Sequence, residues 1–345
     1  MTPRRRGTRC AVPPLAVTMG EPAGIGGDIT LKAWVGHRTT LPCFFIIDDP
    51  TRLEALARKL GLDVPICVID GPDEAEAVFA KGLPVLARPL AGVSTPGRPD
   101  PRNVGSIRAS IENAVCLTKS GRAGAVVTNP IHKESLYGAG FPFPGHTEFL
   151  ASLAGTDKPV AMMLACPTLR VIPATIHTSL KDAIARLDVE TIVTAATVAE
   201  AGLKRYFGIA KPKLAVAGLN PHAGEGGAMG AEDIEIVAPA IAALRAKGID
   251  AYGPLPPDTM FSARVRATYD AAICMYHDQA LIPIKTLDMD GAVNVTLGLP
   301  FVRTSPDHGT AFDIAGTGRA SEASLIAALI MAAEMASRAV PVPAE

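Results

Sequence analysis

Residues 43–61, CFFIIDDPTRLEALARKLG, decide the fold. An apolar run too short to be a helix passes into an Asp pair and a proline, continues with apolar positions at helical spacing, and stops at Gly61. Asp48 and Asp49 are candidate N-caps and Gly61 a candidate stop, so the stretch reads as strand, turn and helix. The same alternation precedes it, where LAVTM (15–19) leads through GEPAGIGGDI (20–29) into an amphipathic helix start, and PICVI (65–69) follows as another short strand. Further helices are expected in IRASIENAVCLTKSG (107–121), EFLASLAG (148–155), VETIVTAATVAEAGLKRYFG (189–208), AEDIEIVAPAIAALRAKG (231–248) and SEASLIAALIMAAEMASRA (321–339). Between them lie apolar runs in AGAVV (123–127), near 160–176, at 213–219 and at 271–276. Strand and helix alternating over nearly the whole chain predict an α/β, doubly wound architecture.

The chain has 345 residues, 48% of them hydrophobic, more than one core usually accommodates, so two lobes are expected. The last helix needs a sheet to cover, which returns both termini to one lobe: 1–135 plus 295–345, with 136–294 forming the other. The Pro-rich tract at 92–103 reads as a crossing between lobes or a long surface loop. A net charge of −1 with acids and bases interspersed gives no electrostatic reason to bind nucleic acid or an anionic membrane. The six cysteines form no C-x-x-C pair, which fits a reducing cytoplasm. No window approaches the roughly 20 apolar residues that span a bilayer. The basic opening MTPRRRGTRC reads as a frayed terminus rather than a signal peptide.

Three histidines each close an apolar run: His177 after LRVIPATI, His222 after KLAVAGLNP and His277 after AAICMY. In a mostly parallel sheet, ligands collect outside the carboxyl ends of the strands, so three imidazoles delivered there suit a divalent-metal site. The competing reading is a satisfied polar residue in each loop, and spacings of 45 and 55 residues match no compact metal motif. GEPAGIG (20–26) lacks the lysine of a P-loop and reads as a tight turn. In FPGHTEFLA (143–151), Thr147 is placed to cap a helix starting at Glu148, with His146 beside the same N-terminus, where an anion would sit well. Lys285, Asn294 and Arg303 lie on Gly-punctuated apolar segments; a compact cation, a neutral donor and a bidentate fork suit a phosphomonoester, although surface ion pairs are the alternative. The GTGRAS tail of SPDHGTAFDIAGTG (305–318) is no full dinucleotide fingerprint.

The segments MGEPAGIG, PGHTEFLA, GLNPHAGEGG, GPLPPDT, MYHDQ and VNVTLGLPFVRTSPDHGTAFDIAG stand in the order and approximate spacing of the 4-hydroxythreonine-4-phosphate dehydrogenase family of pyridoxal 5′-phosphate biosynthesis. This chain resembles that family over about residues 15 to 335. DHGTAFDIAGTG also looks like the cofactor loop of isocitrate and isopropylmalate dehydrogenases, whose two-lobed fold the family shares. The resemblance implies a homodimer with its site near the interface, NAD or NADP, and one divalent metal ion (zinc, magnesium or cobalt). By the same resemblance His177, His222 and His277 are expected as metal ligands, and His146, Thr147, Lys285, Asn294 and Arg303 as substrate contacts. Lys285, Asp258 and Asp278 are expected to carry or support catalysis, and Asp307, His308, Gly309 and Asp313 to meet the cofactor. The implied reaction oxidises 4-phosphooxy-L-threonine to a β-keto acid that loses carbon dioxide. Family dehydrogenases acting on phosphorylated sugar acids or aromatic dihydrodiol carboxylates, phosphate acyltransferases, a metal hydrolase and a plain phosphate-binding protein are the alternatives. Gly27 and Asp28 stand where Pro-Glu is common in the family, and Ala280 where Gly is common.

Overall fold

The computed structural model describes residues 12–138, 143 and 145–339; the basic opening lies outside them. The chain forms two compact units, one made of residues up to 141 with 309–339, the other of 142–308.

The first unit holds five strands: β1 (Leu15–Thr18), β2 (Phe44–Asp48), β3 (Ile66–Ile69), β4 (Leu83–Ala87) and β5 (Val126–Val127). They pair in the order β3-β4-β2-β1-β5, all parallel. A sheet buried on both faces needs continuous apolar strands, and β1 and β2 are buried along their whole length. The helices Val104–Lys119 and Ala323–Arg338 pack on β1 and β5, so the chain's last helix covers strands made at its beginning. The Asp49 side chain accepts from the Arg52 N–H at 3.1 Å, capping the helix Pro50–Leu60, and Gly61 closes it with φ 66°. Asp48 turns inward to meet the buried Arg52 guanidinium at 2.6 Å. That guanidinium and the Leu56 side chain lie beside Gly27, where a Cβ would meet Leu56 Cδ2 at 2.7 Å and Arg52 Nη2 at 3.0 Å. GEPAGIG is a tight turn into the helix Gly26–His37, and Gly20 sits at φ 67° with the Pro130 carbonyl 2.6 Å from where a Cβ would be.

The second unit holds β6 (Ala161–Cys166), β7 (Leu169–Pro173), β8 (Lys213–Ala217), β9 (Asp250–Leu255), β10 (Ala271–Cys274), β11 (Val293–Leu297) and β12 (Arg303–Pro306). Their order is β12-β11-β6-β7-β10-β8-β9; β7, β10, β8 and β9 run parallel, and the other pairs are antiparallel. Helices Val189–Phe207 and His277–Leu287 pack against this sheet.

The apolar stretch near 160–176 is two antiparallel strands joined at Pro167 and Thr168. Two expectations change. The antiparallel pairing of β11 with β6 and β12 keeps residues 295–308 in the second unit, so the boundaries fall at 141/142 and 308/309 instead of 135/136 and 294/295. The helix expected from 231 begins as a π-turn over Asp233–Val237 before Ala238–Ala246, because buried Asp233 accepts N–H bonds from Leu219 (2.8 Å) and Asn220 (3.0 Å).

Candidate active site

The strands that end before the three histidines are neighbours, since β10 lies between β7 and β8 and all run parallel. His177 follows β7 by four residues, His277 follows β10 by three and His222 follows β8 by five. All three are therefore at the carboxyl end of one parallel segment, where loops are free to vary without disturbing the ladder. The His177 and His277 rings stand 6.0 Å apart, centroid to centroid. Two imidazoles bound through nitrogens about 2.0–2.1 Å from a tetrahedral zinc have centroids about 5 Å apart, so the pair as it stands is about 1 Å wider than a shared zinc draws it. The His277 Nδ1 lies 2.7 Å from the Asp278 carboxylate, which favours the tautomer that turns a bare Nε2 outward. A cavity of about 330 Å³ is lined by Thr175, His177, Ser179, Tyr276, His277 and Asp278. Burial, with the Asp278 charge adding to it, pushes the Tyr276 phenol above its ordinary value.

His222 stands at the third of these strand ends, and among the described residues of one chain no group of three His, Cys, Asp or Glu is placed to hold a metal ion. It opens a left-handed turn, with φ of 53°, 54°, 77°, 41° and 68° from His222 to Gly226. Each non-glycine residue held there costs about 1–2 kcal/mol, and such strain persists only where neighbouring contacts impose it. Asp233 supplies two of those contacts through Leu219 and Asn220. His177 also has a positive φ, 49°.

His277 is the first residue of a helix over His277–Leu287, a segment whose Pro283 argues against helix in sequence. Lys285, in its last turn, carries its ammonium 2.9 Å from Asp307. Arg303 on β12 is 4% exposed and donates to Thr296 Oγ1 (3.0 Å) and Asn294 Oδ1 (3.4 Å) on β11. Burial pulls its guanidinium down to about 10, so it stays cationic at neutral pH. The expected Thr147 cap is not formed. The helix His146–Ala154 starts earlier, its N-cap is the extended Gly145, and no side chain caps it; Thr147 is already inside the first turn beside His146. Asp258 is exposed in the short helix Pro257–Met260. Asp307 and His308 end the second unit; Gly309 and exposed Asp313 belong to the first, where the Thr310 carbonyl accepts from the Ile25 N–H at 3.0 Å.

Sequence reading passed over Gln279, buried in the middle of the site's polar bonds. Its signal is its position three residues into a helix, where Gln reaches back to an orphan N–H.

A family model described as "Pyridoxal phosphate biosynthetic protein PdxA" matches residues 40–332. A 4-hydroxythreonine-4-phosphate dehydrogenase of Bradyrhizobium diazoefficiens is 54% identical over 339 residues, covering 95% of this chain and 98% of that protein. The enzyme of the same name from Methylorubrum populi is 55% identical over 332 residues, 94% of this chain and 95% of its own. The crystal structure of 4-hydroxythreonine-4-phosphate dehydrogenase from Klebsiella pneumoniae superposes with a TM-score of 0.85 at 40% identity, covering 94% of this chain and 99% of that one. With more than half the sequence matched by the family model and near-full-length relatives above 50% identity, the chain belongs to the PdxA family.

Proposed function

We propose that this chain is a metal-dependent dehydrogenase that uses NAD or NADP to oxidise the CH–OH group of 4-phosphooxy-L-threonine. The product, 2-amino-3-oxo-4-phosphooxybutanoate, then loses carbon dioxide to give 3-amino-2-oxopropyl phosphate. The observation that carries this reading is the His177–His277 pair, 6.0 Å apart at adjacent parallel strand ends, with Asp278 on the far nitrogen of His277. His222 is the third ligand we assign, and from the family resemblance we infer a homodimer with the site near the interface.

A divalent cation held there would supply Lewis acidity to the substrate hydroxyl and to the ketone formed from it, and bound nicotinamide would supply the hydride acceptor. The protein's own groups do the rest. Asp278 holds His277 in one tautomer. Arg303, with Asn294 beside it on the next strand, offers a desolvated cation and a neutral amide to the phosphate; Lys285, His146 and Thr147 are the further contacts we assign to the substrate. Asp307, His308, Gly309 and Asp313 are the residues we assign to the cofactor, and Asp258 to support of the site. Lys285, held by Asp307, is our candidate for moving the hydroxyl proton.

The test is reduced-nicotinamide absorbance with purified protein, both cofactors, and a panel holding 4-phosphooxy-L-threonine, phosphorylated four-carbon sugar acids and an aromatic dihydrodiol carboxylate. Turnover of the first, abolished by chelation and restored by zinc, cobalt or magnesium, is expected. Turnover of another alcohol alone reassigns the substrate, and hydrolysis or acyl transfer without nicotinamide overturns the reaction class.

A further inference from the structure

The polar bonds beyond the ends of β7, β10 and β8 converge on one side chain. The β8/β10 register stops at Val216 and Ile273, so beyond that point no backbone rung joins these two strands. Gln279, 7% exposed, supplies one: its Oε1 accepts from the Met275 N–H at 2.6 Å and its Nε2 donates to the Gly218 carbonyl at 2.7 Å. One partner is a donor and the other an acceptor, so the amide has a single orientation that satisfies both. Thr175 Oγ1 donates to the Met275 carbonyl at 2.8 Å, so both polar groups of Met275 are held. Thr175 is two residues before His177, Met275 two before His277, and Gly218 four before His222.

We propose that Gln279 is a positioning residue for the metal centre: its amide acts as a side-chain rung that sets the His222 loop against the His277 loop. The inference rests on the histidine reading above. If His222 serves the site of a second copy, the same amide mechanically joins the two centres of a dimer, because it grips the roots of a ligand given away and a ligand kept. A structural role alone would be to satisfy two buried backbone groups, and that role predicts a loss of stability without a change in how a metal is held.

The test compares wild type with Gln279→Met, which keeps the volume and removes both bonds, and Gln279→Glu, which keeps the acceptor for Met275 and loses the donor to Gly218. Full-length apo protein is titrated with cobalt and with zinc by calorimetry, the visible spectrum of the cobalt form is recorded, and thermal melting of the apo form is followed separately. Gln279 bonds the backbone of the ligand loops rather than the imidazoles, so the expected loss in both variants is at the lower end of the about 10–100-fold that follows removal of a ligand's own partner, with shifted cobalt bands. A lowered melting temperature with unchanged cobalt affinity and spectrum overturns the proposal. Should the Met variant not fold, the Glu variant decides: unchanged binding in it is also a refutation. His177→Ala, His222→Ala and His277→Ala are run beside them, since full cobalt binding in all three removes the histidine reading itself, whereas lost binding there with intact binding in the Gln279 variants removes only this one.

Discussion

Replacing Arg303 with Met separates the cost of a buried cation from its use. The guanidinium sits 4% exposed, and the net of its surroundings lowers its proton affinity from the ordinary arginine value to about 10. At about 1.4 kcal/mol per tenfold change, that drop means roughly 3 kcal/mol of unfavourable burial at neutral pH. The sign follows: a cation whose folded pKa is depressed penalises the fold below that pKa, and the penalty fades as pH rises through it. Against this, Met at 303 leaves the buried Thr296 Oγ1 and the half-buried Asn294 Oδ1 without their donor, at least about 1–2 kcal/mol. The apo variant is therefore expected to melt close to wild type at pH 7. Phosphate recognition should move the other way, because a charge-assisted bond is worth about 1.5–3 kcal/mol, or about 10- to 150-fold in binding. Melting in increasing inorganic phosphate reads both effects: wild type gains stability with phosphate, and Arg303→Met gains little. A variant clearly less stable than wild type, yet still stabilised normally by phosphate, would refute the reasoning.

Four further outcomes are expected. Chelation should abolish turnover without unfolding the protein, as circular dichroism would show. Asp278→Asn should weaken cobalt binding about tenfold while leaving apo melting nearly unchanged, since its carboxylate is 70% exposed and its effect runs through His277. Asp28 is buried in the first unit, with Oδ1 accepting from the Gly316 N–H at 2.7 Å and Oδ2 unpaired, and burial holds its carboxyl above the ordinary value. A raised folded pKa means its contribution is fullest at low pH and is lost as pH rises, so Asp28→Asn should gain on wild type in melting temperature from pH 4 to pH 7. Gly20→Ala should destabilise by more than about 1 kcal/mol in chemical denaturation, because φ is 67° and the added methyl meets the Pro130 carbonyl.

Much of the architecture was legible because local signals and burial agree. Asp49 and Gly61 bracket a helix by chemistry that acts within a few residues, and continuous apolar runs mark strands covered on both faces. The histidines were legible as strand-end residues for the same reason. Their grouping was not fully so, because it depends on strand order: β10 slots between β7 and β8, and the backbone leading into the left-handed turn that carries His222 is held by Asp233 from a later helix. The helix at His277–Leu287 was hidden by Pro283, and the true start of the helix at His146 by the extended Gly145, which precedes the Thr147 that looks like a cap. The placement of 295–308 escaped because antiparallel pairing with β6 is long-range and leaves no mark in the segment itself.

The return of residues 309–339 to the sheet of the first unit has a consequence for synthesis on the ribosome. Translation makes β1 and β5 first, but the helix that packs on them, Ala323–Arg338, and the loop that bonds Ile25 and Asp28 emerge only after the second unit. The first hundred or so residues therefore wait, half covered, while the intervening unit is being made, and transiently bare apolar strands of this kind are what holding chaperones bind. A stop codon just before residue 309 would remove none of the strands of the described residues, yet would leave the first unit unable to finish folding.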